Sequence, residues 1–379
     1  MMIAAAVPRQ RAPDAKLLTV DGRGRLHHLP RRQAMDVLQP GDLVIANDAA
    51  TMPASLVGRH VVSGRRIEVR LAGRDSLDVA AVRSFVAVLF GLGDFRMRTE
   101  DRPPPPAVAP GDRLALGPLL ATVIERVHNH PRLVRLEFDG QPAAIWEGIA
   151  WHGRPVQYSH VPQPLALWDT WTPIAGPPVA FEPPSAGFVL DWHLLAEMRS
   201  KGVHFATLTH AAGLSSTGDE SLDQRLPFDE PYRIPERTAA AVRDARVDGR
   251  RIVAIGTTVV RALEHAAARD GFVRAGGGLA TGRIGPSTEL RVVDAILSGT
   301  HERGSSHFEL LRAFIDDETL ARMEGELETY AYRTHEFGDS IFVERSSVER
   351  YSPITASARR TRSRCVLIDG FTLSKSFDR

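Results

Sequence analysis

The sequence predicts an α/β protein: a mixed α/β main domain interrupted by an inserted small β-barrel domain. Short continuous apolar runs such as Leu43-Val44-Ile45-Ala46 and Ile252-Val253-Ala254-Ile255 have the composition of strands covered on both faces. Stretches of helical periodicity accompany them in the second half of the chain. Between Gly58 and Arg154 the character changes to short strands separated by strong turns, as in a small barrel or sandwich. At 379 residues the chain has room for two or three domains and a sizeable core.

In chain order, Leu17 to Val20 and Leu26 to Leu29 flank Asp21-Gly22-Arg23-Gly24, a turn suited to a hairpin. Pro40-Gly41-Asp42 then turns the chain into the Leu43 strand, which ends at Asn47-Asp48. Polar residues at such a strand end are candidates for substrate binding, and a plain turn explains them as well.

The inserted segment opens with Val61-Val62, Ser63-Gly64 and the alternating Ile67, Val69 and Leu71, read as a hairpin. Leu114 to Leu116, Leu119 to Val127 and Leu133 to Phe138 continue the strand pattern, broken at Pro103 to Pro106, Pro110-Gly111-Asp112 and His128-Asn129-His130-Pro131.

After Pro155 a proline-rich passage leads to Ser185-Ala186-Gly187 and to a helix over Trp192 to Lys201, stopped by Gly202. His204 to Thr209 reads as strand and Pro235 to Arg246 as helix. Next comes a strand-turn-helix corner: the Ile252 strand, Gly256-Thr257-Thr258, then Val260, Leu263, Ala266 and Ala267 at helical spacing. Glycine permits close approach, threonine hydroxyls can cap the helix, and first-turn N–H groups favour a carboxylate or phosphate. An ordinary capped connection is the competing reading. Gly276-Gly277-Gly278 reads as a flexible connector. Val292 to Leu297, Phe308 to Phe314 and Leu320 to Tyr332 supply further regular structure. The expected division is 1–57 and 155–351 for the main domain, 58–154 for the insert, and 352–379 as a basic, mobile tail.

Composition narrows the function. With 47 basic and 46 acidic residues, the formal charge of +1 excludes a polycation that grips nucleic acid through its average field, so any RNA partner needs a local patch. One cysteine, Cys365, excludes a disulfide framework and a cysteine zinc cluster, and points to a reducing, cytoplasmic location. The longest apolar stretch, Phe85 to Leu92, is far shorter than the roughly 18 residues of a membrane span. Among 14 histidines no pair has metal spacing on a helix, so no metal is expected. His301 and His307 flank a polar loop that suits a site or a solvated turn. A nucleophile elbow, a P-loop and a dinucleotide fingerprint are absent.

Six segments in order carry a further signal: PGDLVIANDAATMPASLVGR (40–59), IEVRLAG (67–73), PPSAGFVLDWHLLAEMRSKGV (183–203), RIVAIGTTVVRALE (251–264), VVDAILSGTHERGSSHFELLRAF (292–314) and YAYRTHEFGDSIFVE (330–344). Together they resemble the S-adenosylmethionine:tRNA ribosyltransferase-isomerase family of queuosine biosynthesis. The resemblance implies an α/β domain interrupted by a barrel. It also implies S-adenosylmethionine as co-substrate, with no bound cofactor. In that reaction the aminomethyl nitrogen of a 7-deazaguanine in tRNA attacks the donor ribose, adenine and methionine leave, and an epoxycyclopentanediol forms.

Such chemistry requires a base for the hydrogens beside the sulfonium, a donor for the departing adenine and a site for the methionine carboxylate. Ser185, Ala186, Gly187, Gly256, Thr257, Thr258 and Arg261 are the candidates for binding S-adenosylmethionine, the last four suited to the anionic end of donor or RNA, and Asn47, Asp48 and Ser305 are the candidates for binding substrate. Glu230, His301 and Asp339 are the proton-handling candidates.

The chain departs from the family where histidines cluster. The family's P-T-A-G-L-H-F appears as Pro184 to Leu190, with Val189 at the histidine. Its T-L-H-V-G-x-G-T-F appears as Thr207 to Ser215, with the histidine moved to His210. Its H-x-M-H-S-E appears as Arg225 to Glu230, keeping only the glutamate. N-F-H-L-P-x-S-T-L appears as Gly299 to His307, keeping His301 and Ser305. Imidazole is the side chain suited to proton exchange near neutral pH, so these changes bear directly on the reaction. Alternatives therefore remain: a divergent paralogue acting on a small molecule or cleaving S-adenosylmethionine, or a non-catalytic nucleotide- or RNA-binding descendant. The oligomeric state is open.

Overall fold

The computed structural model describes residues 2–346; the basic tail expected over 352–379, with Cys365, lies outside the described residues. Its centre is a nine-stranded mixed sheet. The strands follow the order Gly276–Ala280, Glu230–Ile234, His204–His210, Leu43–Asn47, Ile252–Ile255, Ala295–Gly299, Ser340–Glu344, Lys16–Val20 and Leu26–Pro30. The four from His204–His210 to Ala295–Gly299 run parallel. Their continuous apolar runs have the expected cause. Leu43, Ile45, Ile252 and Ala254 pack with the helices Glu236–Val247 and Thr257–Ala267 on one face, while Val44, Ala46, Val253 and Ile255 pack against Leu194 and Met198 on the other.

The hairpin Lys16–Val20/Leu26–Pro30 forms at the sheet edge, its turn closed by the Asp21 carboxylate accepting from the N–H groups of Arg23 and Arg25. The helix after the proline-rich passage spans Trp192–Ser200. Asp191 caps it by accepting from Leu194 N–H, and Gly202 follows at φ +72°.

The inserted segment is a closed barrel of six antiparallel strands: Ser55–His60, Arg66–Gly73, Ser84–Phe90, Arg113–Leu116, Leu119–Arg126 and Leu133–Phe138. Two readings need correction here. Val61 and Val62 are exposed in the turn between the first two strands, because the strand that pairs with Arg66–Gly73 is Ser55–His60. A helix, Pro142–His152, follows the last strand inside a region read as wholly β; it buries Ile145 and Ile149 against the barrel core. Glu68 and Arg70, on the polar face of their strand, are buried too, because Arg70 and Arg102 both pair with Glu68.

A third correction concerns the glycine run. Gly276–Ala280 is an edge strand paired with Glu230–Ile234, and glycine is needed because a Cβ on Gly278 would lie 2.4 Å from the Tyr232 ring. Among the described residues no helix is long and apolar enough to cross a membrane.

Barrel closure rests on close backbone contact. A Cβ on Gly58 would meet the Ala115 carbonyl oxygen at 2.0 Å, across the pair that joins Ser55–His60 to Arg113–Leu116. Gly58→Ala should therefore cost about 3 kcal/mol or more in urea unfolding. A change below about 0.5 kcal/mol, the range of neutral surface substitutions, would contradict this closure geometry.

Candidate active site

The C-terminal ends of the parallel strands meet at one rim, the usual ligand position of an open α/β sheet. Gly256 makes the sharpest turn there at φ +92°, where side chains are strained, and a Cβ on it would also crowd Ala186 at 3.3 Å. The helix Thr257–Ala267 starts at once. Contrary to the threonine-cap expectation, no side chain caps it; Thr258 Oγ1 instead accepts from Asn47 Nδ2 at 3.4 Å. Its first turn lines an open cleft with an enclosed volume of about 90 Å³.

Behind the turn lies a buried charge network. The Glu230 carboxylate accepts from the Arg261 guanidinium, from Gly213 N–H at 2.6 Å and from His210 Nε2 at 2.9 Å. His210 Nδ1 lies 2.7 Å from the Thr258 carbonyl, so both ring nitrogens face acceptors. Arg261 spends a further nitrogen on the carbonyls of Ala280 and Gly282, each at 3.1 Å. Burial pushes the Glu230 carboxyl up, but the Arg261 charge and the His210 and Gly213 hydrogen bonds outweigh it and hold its pKa at about 2. Near neutral pH, Glu230 is a permanent anion.

Proton exchange falls to other groups on the wall. Glu182 accepts from the Tyr158 hydroxyl and from Ser215 N–H at 3.0 Å. Burial, then the charge of Glu336, raise its pKa to about 7 against the lowering effect of those hydrogen bonds. The rings of His301 and His307 stack at 4.4 Å between centroids and 13° between planes. Burial first, then the neighbouring His307 and His335, push His301 well below the usual imidazole range. Burial lowers His307 as well, with Arg261 acting in the same direction and Glu230 and Glu336 opposing it. Two neutral imidazoles and a carboxyl poised near pH 7 thus share the cleft with a helix N-terminus and a buried guanidinium.

Of the residues singled out in the sequence, Ser185, Ala186, Glu230, Gly256, Thr257, Thr258, Arg261 and His301 line this cleft together. Gly187, Asn47, Asp48, Ser305 and Asp339 are not among its lining residues. Gly187 packs under Thr172, where a Cβ would clash at 2.9 Å. Asn47 is spent within the fold, bonding His210 and Ala49, while Asp48 accepts from the hydroxyls of Thr207 and Thr209. Ser305 caps the short helix Ser306–Leu310. Asp339 accepts from the N–H groups of Lys16 and Arg333, both at 2.8 Å, which ties the strand Lys16–Val20 to the segment that leads into Ser340–Glu344.

Sequence reasoning missed Glu182, whose only signal is a lone charge between Phe181 and Pro183, and Arg283 at the mouth. His307 stood out only as the second flank of a polar loop.

The profile described as "Queuosine biosynthesis protein" matches residues 2–343. The chain is 35% identical over 371 residues to the S-adenosylmethionine:tRNA ribosyltransferase-isomerase of Sorangium cellulosum, covering 90% of this chain and 95% of that protein. The enzyme of the same name from Thiobacillus denitrificans is 30% identical, with 88% and 92% covered. A solved S-adenosylmethionine tRNA ribosyltransferase from Thermotoga maritima aligns at TM-score 0.48 and 23% identity, over 90% of this chain and 96% of that one.

Arg261→Met should destabilise the fold by about 3–5 kcal/mol in chemical denaturation, because it strands a buried carboxylate. Glu230 is held at about 2 when folded against 4.5 ordinarily, so its share of stability is present above about pH 4.5 and drains as pH falls towards 2. The variant should lose less over that window. A cost below about 1 kcal/mol with an unchanged acid profile would exclude the network as described.

Proposed function

The chain belongs to the S-adenosylmethionine:tRNA ribosyltransferase-isomerase family of queuosine biosynthesis, and we propose that it carries out that family's reaction on tRNA. It takes the ribosyl part of S-adenosylmethionine as co-substrate, releases adenine and methionine, and needs no bound cofactor. The observation that carries this reading is the convergence, in one cleft, of an uncapped helix N-terminus, neutral imidazoles and a near-neutral carboxyl.

The first turn at Thr257 and Thr258 suits the methionine carboxylate, since its N–H groups lack a side-chain cap and carry the positive end of the helix dipole. Arg261 does not bind substrate freely in this account. It holds Glu230, and through Glu230 it holds His210 and the Gly213 backbone, which fixes two walls of the cleft.

Glu182 is the general base or acid of the reaction. Its pKa near 7 makes both protonation states accessible near neutral pH, so it can take a proton from carbon beside the sulfonium or return one to departing adenine. His301 and His307 supply neutral nitrogens for hydrogen bonds to the polar edge of donor or acceptor. The exposed Arg283 at the mouth is placed for a phosphate of the RNA backbone. The division into a main domain of 1–57 and 155–351 with 58–154 inserted, and a cytoplasmic location, go with this reading.

Incubation with S-adenosylmethionine, with and without precursor tRNA, tests the assignment through adenine and methionine release. Release that requires tRNA supports it; release without tRNA points to a small-molecule or cleavage activity, and neither binding nor release removes the enzyme reading. Glu182→Gln should lower turnover by about 10²–10⁴ and abolish a pH-dependent limb near pH 7. Because Glu182 is raised from 4.5 to about 7, wild-type stability should also fall as pH rises through that window, and the variant should lose this slope. An unaltered pH–rate profile in the variant would remove Glu182 from proton transfer.

A further inference from the structure

A second cluster of donor side chains lies behind the Glu182 wall. His160 Nε2 is 2.9 Å from Glu336 Oε2, although the two residues are 176 positions apart in sequence. The His160 and His335 rings stack at 4.2 Å with 17° between their planes. One donor atom from each of His160, His335 and Glu336 lies within 4.8 Å of the others. The Glu302 carboxylate stands 3.6 Å from His335 Nε2. His335 is held at φ +68°, a left-handed backbone that non-glycine residues rarely adopt and that collects at functional sites.

We propose that His160, His335 and Glu336 form a binding site for one divalent transition metal ion of the zinc class. Two imidazoles and a carboxylate are the donor set of open zinc sites, which leave a fourth position to water or another oxygen. Ligands at about 2.0–2.1 Å from a tetrahedral ion stand roughly 3.4 Å apart, so the widest pairs, up to 4.8 Å, must close by as much as about 1.4 Å while the 2.9 Å pair of His160 and Glu336 opens by about 0.5 Å. The neighbouring cavity, bounded by Tyr158, Pro183 and Phe337, has a volume of about 10 Å³, room for one water-sized species and no larger ligand. Pro183 also lines the main cleft, so the ion would lie directly behind the reaction site. Helical spacing could not reveal this set, because the strand and loop ends that supply it meet only in the folded chain.

Metal-stripped full-length protein is titrated with Co²⁺, following d–d absorption, and with Zn²⁺ by calorimetry. The site predicts saturation at one equivalent, with affinity falling about tenfold or more in His160→Ala, His335→Ala and the isosteric Glu336→Gln, while circular dichroism confirms folding. His301→Ala should retain the ion, which separates this cluster from the stacked pair in the main cleft. No saturable binding by the wild type, undiminished affinity in folded variants of the cluster, or loss in His301→Ala instead would each overturn the proposal.

Discussion

Much of this molecule's working geometry hangs on one buried ion pair, Arg261 with Glu230. Arg261 sits on the second turn of the helix that starts at Gly256, and Glu230 begins a strand on the far side of the sheet. Their pairing, with His210 as third member, joins the helix to two strands and to the glycine-rich edge strand through the Ala280 carbonyl. A buried pair of this kind adds little net stability against an apolar replacement, yet loss of one partner is costly. Its value here is positional: it sets where the helix N-terminus, the Gly213 backbone and the strand ends stand relative to each other.

That constraint separates holding from proton transfer. The same guanidinium that fixes Glu230 makes it too weak a base to move protons near neutral pH. Glu182, fully buried and close to the charge of Glu336, is pushed the opposite way. Two buried carboxyls on one cleft therefore take different roles because their surroundings differ, not because their chemistry does. The histidines follow the same logic: His210 is spent on structural partners at both nitrogens, whereas His301 and His307 stack together and stay neutral.

Periodicity made the parallel strands and their covering helices legible, since Leu43 to Ala46 and Ile252 to Ile255 must be buried on both faces whatever their partners. The corner at Gly256 was legible for the same reason, together with the ordered family-like segments. What stayed hidden depends on contacts between distant residues. Gly276–Ala280 is a strand because Tyr232 needs the space above Gly278, and Glu68 is buried because Arg70 and Arg102 neutralise it; neither follows from local pattern. Asp339 and Asn47 have the residue types of a site but are consumed in tying strands together. Glu182 carries no motif at all, and its raised pKa comes from burial and from the charge of Glu336, which is 154 positions away in sequence. The shift of a histidine to His210 shows the strand period at work: Thr207 and Thr209 face Asp48, and His210 turns the other way to Glu230.

The central claim, that the Gly256 corner and the Glu182 wall bound a single donor site, is tested most directly by a crystal structure with S-adenosylmethionine bound. The methionine carboxylate is expected against the first turn at Thr257 and Thr258, with the sulfonium and ribose facing Glu182 and the stacked pair of His301 and His307. Density for the donor outside this cleft, or within it but with the carboxylate away from the helix N-terminus, would contradict it.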